Sequence, residues 1–188
     1  GSYAVIDGVW PITTITTTTF SSGSTPDEIG LVWTPPIDCR VCGCWLWVDL
    51  DADATIVLYG TDGVSELATV ALDTNLRTNT GAAPGYWRFG ATAVLAAGST
   101  YRMVVRPGAS TVSIYDFTVM SAAAVMDSFP GGQALHYTSA KNPTGTGSWT
   151  DVTTRRPFMG FWLDQVDDGA GGAAGVKIPA GMVGGMNG

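Results

Sequence analysis

Charge is scarce in this sequence. Only 13% of its 188 residues are Asp, Glu, Lys or Arg, about half the ~25% usual for a globular domain. Lysine is nearly missing: Lys141 and Lys177 are the only two, and the net charge is −7. A phosphate backbone needs a basic footprint, yet the only basic run is the pair Arg155-Arg156. The composition argues against nucleic acid as a partner, and equally against an anionic membrane surface. No apolar run approaches the ~18–20 residues that span a bilayer.

Motifs that carry catalysis are missing too. With one histidine, His136, and no GxSxG, HExxH or P-loop, the usual nucleophile, zinc and phosphate chemistries lack their residues. A carboxylate pair can hydrolyse a glycoside, but Asp116, Asp127, Asp151 and Asp164 are scattered along the chain. The expectation is a protein that is not an enzyme and needs no cofactor. No N-x-S/T acceptor is usable, since Pro143 follows Asn142. The chain opens Gly1-Ser2-Tyr3, without initiator Met or signal peptide. It reads as a processed product, an excised domain, or a chain whose Gly1-Ser2 was left by cloning.

What is present is a β pattern nearly throughout. ITTITTTTF (12–20) is rich in β-branched residues; as a Thr run it also has the composition of an O-glycosylated tract. IGLVW (29–33) stops at Pro35-Pro36. Further strands are expected at 39–48, 55–60, 65–72, 85–89, 100–106, 112–119, 133–138 and 157–164. Thr61-Asp62-Gly63 is a hairpin turn signal, and Gly- and Pro-rich clusters punctuate the rest. One short helix candidate occurs, SAAAVMDSF (121–129). About ten short antiparallel strands without an amphipathic helix mean a β-sandwich or barrel, and the absence of βαβ units excludes a nucleotide-binding α/β fold.

The three cysteines lie together in CRVCGCWLW (39–47). A zinc site needs four ligands, and Cys39, Cys42, Cys44 and His136 only just reach that number. Strict alternation would place Cys39, Val41, Gly43, Trp45 and Trp47 on one face and Arg40, Cys42, Cys44, Leu46 and Val48 on the other. Cys39 would then point away from the other two thiols. Cys42 and Cys44, at i and i+2, lie at the limit of disulfide reach. Small buried core residues are the expected role, and no metal site is assigned. Asp49, Asp51 and Asp53 alternate like the start of a calcium loop, but the glycine and distal Glu of an EF-hand are missing. They read as carboxylates at the solvent end of a strand, with a structural cation as the alternative.

Aromatics are plentiful, with seven Trp, six Tyr and six Phe. Trp45, Trp47, Tyr101, Phe117 and Phe161 fall on expected strands and read as core. Trp10, Trp87 and Trp149 lie in or beside turn-rich stretches. Each can cap an end of the sandwich or stack on the apolar C–H face of a sugar, and they are the ligand-binding candidates. The final stretch, 169–188, is Gly/Ala-rich like a linker. It nevertheless carries Val176, Ile178, Met182, Val183 and Met186, which suit an assembly arm docked on its own sandwich or on a neighbour. The expected organisation is an N-terminal connector strand (1–20), a sandwich (21–168) and this arm.

Several stretches occur in a familiar order: STPDEIGLVWTPP, RVCGCWLWVDLDADATIVLYGTDG, TYRMVVRPG, SIYDFTV, PGGQALHYT, and WTDVTTRRPFMGFWLD followed by DDGA. Over residues 20–170 the chain resembles a family of jelly-roll domains common in environmental phage genomes. In that family SYAVIDG follows another β-rich domain, and the positions of Cys42 and Cys44 are often Ser or Ala. The resemblance implies a jelly-roll-like sandwich in a tail-fibre, head-fibre or decoration protein, located on the virion or outside the cell. The partners expected with it are copies of itself or another virion protein; host-surface glycans are a further expected partner, met by loops at one end of the sandwich. It implies no catalytic residues. The alternatives are a secreted carbohydrate-binding module and a subunit of an extracellular filament or surface layer.

Overall fold

A computed structural model describes residues 3–4, 12–19, 28–49, 52–73, 85–108, 113–119, 136–140, 149–152 and 155–166. Every regular element among them is a strand: β1 (Tyr3–Ala4), β2 (Ile12–Thr19), β3 (Glu28–Trp33), β4 (Cys39–Leu46), β5 (Val48–Asp49), β6 (Ala54–Tyr59), β7 (Glu66–Leu72), β8 (Gly85–Leu95), β9 (Tyr101–Pro107), β10 (Ser113–Val119), β11 (His136–Ala140), β12 (Trp149–Val152), β13 (Arg155–Pro157) and β14 (Met159–Val166). The helix candidate at 121–129 and the arm at 169–188 lie outside the described residues.

Two sheets pack face to face. One is ordered β1-β14-β4-β8 and the other β12-β11-β3-β9-β6-β7. All their pairings are antiparallel. A smaller sheet joins β13, β10 and β2, with β5 also paired to β10. Eight strands in chain order, β1, β3, β4, β6, β7, β8, β9 and β14, divide between the large sheets. The first, eighth, third and sixth run side by side in one; the second, seventh, fourth and fifth do so in the other. That interleaving is the connectivity of a jelly roll. β11 and β12 extend the second sheet beyond β3.

The residue patterns explain the layering. β3 and β9 lie inside the six-stranded sheet, and all six residues of β3 are buried, as a near-continuous apolar run requires. β7, at the sheet edge, buries Ala68 and Leu72 and exposes most of its other side chains. Between the sheets lie Ile29, Leu31, Trp33, Ile56, Leu58 and Met103 from one side, and Val41, Cys44, Leu46, Leu95, Phe161 and Leu163 from the other. The Trp33 and Phe161 rings meet across this interface at 5.0 Å. Each large apolar side chain so buried contributes about 1.5–3 kcal/mol.

Strict alternation fails in β4. Trp162 pairs with Gly43 and Leu163 with Val41, and β8 likewise pairs with Gly43 and Val41, so the register steps over Cys42 on both sides. Cys42 is an extra residue, a β-bulge, and a bulge reverses the facing of everything beyond it. Cys39, Val41, Cys44, Leu46 and Val48 therefore all join the core, which corrects the expectation that Cys39 and Cys44 face opposite ways. Trp45 and Trp47 turn outward and are only half-buried, so they are not the core residues that alternation implied. Tyr101 and Phe161 are core; the side chain of Phe117 lies outside what is described.

Candidate functional site

The outer faces of both large sheets carry aromatic rings, and their surroundings differ. On the six-stranded sheet, Glu28 is fully buried although it faces away from the main core. Arg106 Nε donates to Glu28 Oε1 at 2.7 Å. Arg106 Nη2 donates to the Tyr59 hydroxyl at 2.6 Å and to Glu66 Oε1 at 2.6 Å. The Tyr59 hydroxyl in turn donates to Glu28 Oε2 at 2.8 Å. The loop of bonds ties β3, β6, β7 and β9 together. Burial pushes the Tyr59 phenol up, and its bond to the Glu28 carboxylate pushes it further, so the hydroxyl keeps its proton. Burial lowers the Arg106 guanidinium, but the bonds to Glu28, Glu66 and Tyr59 more than reverse this and hold it charged.

Trp149 lies over the same face. It packs against Val57, Tyr59 and Val104, with its ring 5.4 Å from that of Tyr59 and the Arg102 guanidinium 5.5 Å from its centroid. Its Nε1 donates to the Gly63 carbonyl at 3.0 Å. Arg102 pairs with Asp151 at 2.9 Å. The turn that Trp149 pins is the expected one. Gly63 has φ 68°, and the Asp62 carboxylate accepts from the Val64 and Ser65 amides at 2.9 and 2.8 Å and from the Ser65 hydroxyl. These bonds, the hydroxyl's first, hold the Asp62 carboxyl below the usual carboxylate range.

The four-stranded sheet presents a different surface. Trp45 of β4 lies over Gly160 of β14, where an added Cβ would come within 2.6 Å of its Nε1. Trp162 of β14 lies over Gly43 of β4, where an added Cβ would be 3.1 Å from its ring and 2.4 Å from the Trp87 carbonyl. Each indole thus occupies the space over a glycine on its neighbour strand. Tyr86 of β8, opposite Trp45 in the register, stacks on Trp162 with ring centroids 5.4 Å apart and planes 25° apart. It remains 56% exposed. Arg88, exposed, sits opposite Gly43. Beyond Trp162, Arg40 grips Asp164 with two bonds of 2.7 and 3.0 Å; that bond and the Asp164 charge raise the guanidinium further.

The ligand candidates from the sequence are not brought together. Trp149 belongs to the outer face of the six-stranded sheet. Trp87 points the other way from its neighbours Tyr86 and Arg88, is half-buried, and packs against the main core. Trp10 lies outside the described residues, as do Val176, Ile178, Met182, Val183 and Met186. Tyr86, Trp162 and Arg88 were not singled out by sequence reasoning. The signal for two of them was available: in GYWRF, alternation sends Tyr86 and Arg88 to the face opposite Trp87 and Phe89.

All three cysteines are buried and unbridged. Burial, and then the charge of Asp38, pushes the Cys39 thiol up to about 12; burial pushes Cys44 higher still. Such thiols stay protonated at neutral pH, and the thiolate is the form that attacks or binds metal. Among the described residues no group of three His, Cys, Asp or Glu is placed to hold a metal ion. Of the Asp49, Asp51 and Asp53 run, Asp51 and the Asp49 side chain lie outside the described residues; the Asp53 carbonyl accepts from the Gly108 amide at 2.7 Å. Among the described residues no helix is long and apolar enough to cross a membrane. Compared with known proteins, the chain matches no family model and no curated sequence.

Proposed function

We propose that the chain is a non-enzymatic phage virion accessory protein, of tail-fibre, head-fibre or decoration type. It assembles with copies of itself or with another virion protein and touches host-surface glycans. The observation that supports this reading most is the eight-strand jelly-roll order, an architecture shared by viral capsid and lectin domains. The low charge and the order of sequence segments that resemble phage jelly-roll domains add to it. Nearly neutral surfaces suit symmetric packing, and the Gly-rich stretch 169–188 has the composition of an arm that lies along a neighbour. The test is the assembly state of the purified chain, by light scattering and negative-stain imaging, with and without residues 169–188. A defined oligomer or filament that dissociates on truncation is the expected result; a monomer in both forms overturns the reading.

A second reading, a secreted carbohydrate-binding module, is favoured by the aromatic outer face of the four-stranded sheet. It predicts a monomer with saturable polysaccharide binding.

A further inference from the structure

We infer that the outer face of the four-stranded sheet is a binding platform for an acidic glycan, a sugar chain bearing carboxylates of the uronate or sialate type. This rests on the glycan-contact part of the proposed function and assigns it a place and a ligand class. The platform comprises Trp45, Tyr86 and Trp162 with Arg88 beside them, none of which is a turn tryptophan.

Its shape comes from the glycines. A side chain at Gly43 or Gly160 would fill the space that Trp162 and Trp45 occupy. With glycine at both positions the two indoles lie close against the sheet and form a low apolar surface. Tyr86 stacks on Trp162 and stands most exposed, at 56%. The three residues sit on three adjacent strands, β14, β4 and β8. At about 4.8 Å per strand they span about 10 Å, room for two sugar rings. The C–H face of a pyranose is apolar, and its edge is hydroxyl-rich. It matches a ring surface bordered by polar groups, as binding sites for small polar ligands generally are.

The charge comes from arginine. Arg40, Arg102 and Arg106 are each matched by a carboxylate. Arg88 is exposed on the same face, opposite Gly43 in the register, and no carboxylate among the described residues pairs with it. A guanidinium recognises a carboxylate by paired, charge-assisted bonds. The Arg40–Asp164 pair at the far end is internally neutralised, so it repels neither sign and leaves oxygen and N–H edges for hydroxyls. An exposed cation on the face that carries the stacked rings fits an anionic sugar better than a neutral one.

The test measures binding of the full chain to polygalacturonate, hyaluronan and polysialate, each beside its carboxyl-reduced form, by tryptophan fluorescence and calorimetry. Variants are Tyr86→Ala, Arg88→Gln and, as a control on the other face, Thr69→Ala. Melting curves confirm that each is folded. The expected result is saturable binding to at least one acidic glycan, weakened about tenfold by carboxyl reduction and by Arg88→Gln, weakened at least as much by Tyr86→Ala, and unchanged by Thr69→Ala. Binding to none of the three, or binding that survives both carboxyl reduction and Arg88→Gln, overturns the inference. A self-associated species that Tyr86→Ala dissociates assigns the face to a second copy of the chain and also overturns it. Light scattering on the same samples separates the two proposals. A monomer that binds as expected keeps the platform and removes the virion-assembly reading; an assembling chain that binds no acidic glycan does the reverse.

Discussion

The two outer faces of the sandwich use the same kinds of residue to opposite ends. On the six-stranded sheet, the aromatic N–H and O–H groups and the carboxylates are tied into bonds and ion pairs. Trp149 spends its N–H on Gly63, Arg102 is paired with Asp151, and Glu28, Arg106, Tyr59 and Glu66 close a network around a carboxylate without solvent access. On the four-stranded sheet, the rings lie over glycines, Tyr86 stays half in solvent, and Arg88 lacks a carboxylate among the described residues. The first face holds the fold together; the second, among the described residues, leaves Tyr86 and Arg88 exposed. Substitutions on the two should separate into losses of stability and losses of binding.

The largest effect is expected at Glu28. Glu28→Ala leaves Arg106 Nε and the Tyr59 hydroxyl without their acceptor, while Arg106 Nη2 keeps Glu66. The cost is about 3 kcal/mol, the low end for a buried pair broken from one side, because the Arg106 side chain is 26% exposed. Urea titration should show the midpoint falling with little change of slope. A loss below about 1 kcal/mol would mean that the network is ornamental and would remove the contrast between the faces. Trp149→Ala comes next, at about 2–3 kcal/mol, from lost packing on Tyr59 and Val104 and the lost bond to Gly63. The same titration reads it.

The division between the faces was only half legible in the sequence. Strand positions were, because turn residues and β-branched runs mark them locally: 12–20, 29–33 and 100–106 each correspond to a strand of nearly the same extent. The Asp62-Gly63 turn was legible for the same reason, since only a residue at ease with positive φ sits there. Facing was not. The bulge at Cys42 depends on pairing with β14 and β8 on both sides, and the one local hint in CRVCGCWLW is Gly43, since a glycine inside a strand often marks a bulge. One inserted residue moved Cys44 inward and Trp45 outward and changed which aromatics belong to the core. The Glu28 network was equally hidden, because Glu28, Tyr59, Glu66 and Arg106 are brought together only by the crossing from β3 to β9 to β6 to β7.

Smaller effects sharpen the account of the pinned turn. Gly63→Ala forces a Cβ into the left-handed region, about 1–2 kcal/mol, and brings it within 2.7 Å of Trp149 Nε1. In a double-mutant cycle the penalty should shrink when Trp149 is already Ala, and additivity would show that the two do not touch in solution. Asp62 supplies a pH signature for the same turn. Its folded-state pKa is depressed, so its contribution is fully present above the ordinary carboxylate pKa and is lost as pH falls through the depressed value. Stability should therefore decline less steeply with acid in Asp62→Asn than in the parent; identical slopes would show that the turn bonds do not persist in solution.

The smallest stability effect is expected where the binding effect is greatest. Tyr86 is 56% exposed and its ring contact described here is with Trp162, so Tyr86→Ala should change stability by no more than about 0.5 kcal/mol. Thermal melting checks this before any ligand is added. The comparison turns on the outcome, because an exposed aromatic stack that costs nothing to remove is not there for the fold. A loss near that of Trp149→Ala would mean that both faces serve stability, and the four-stranded sheet would then have no surface left over for a ligand.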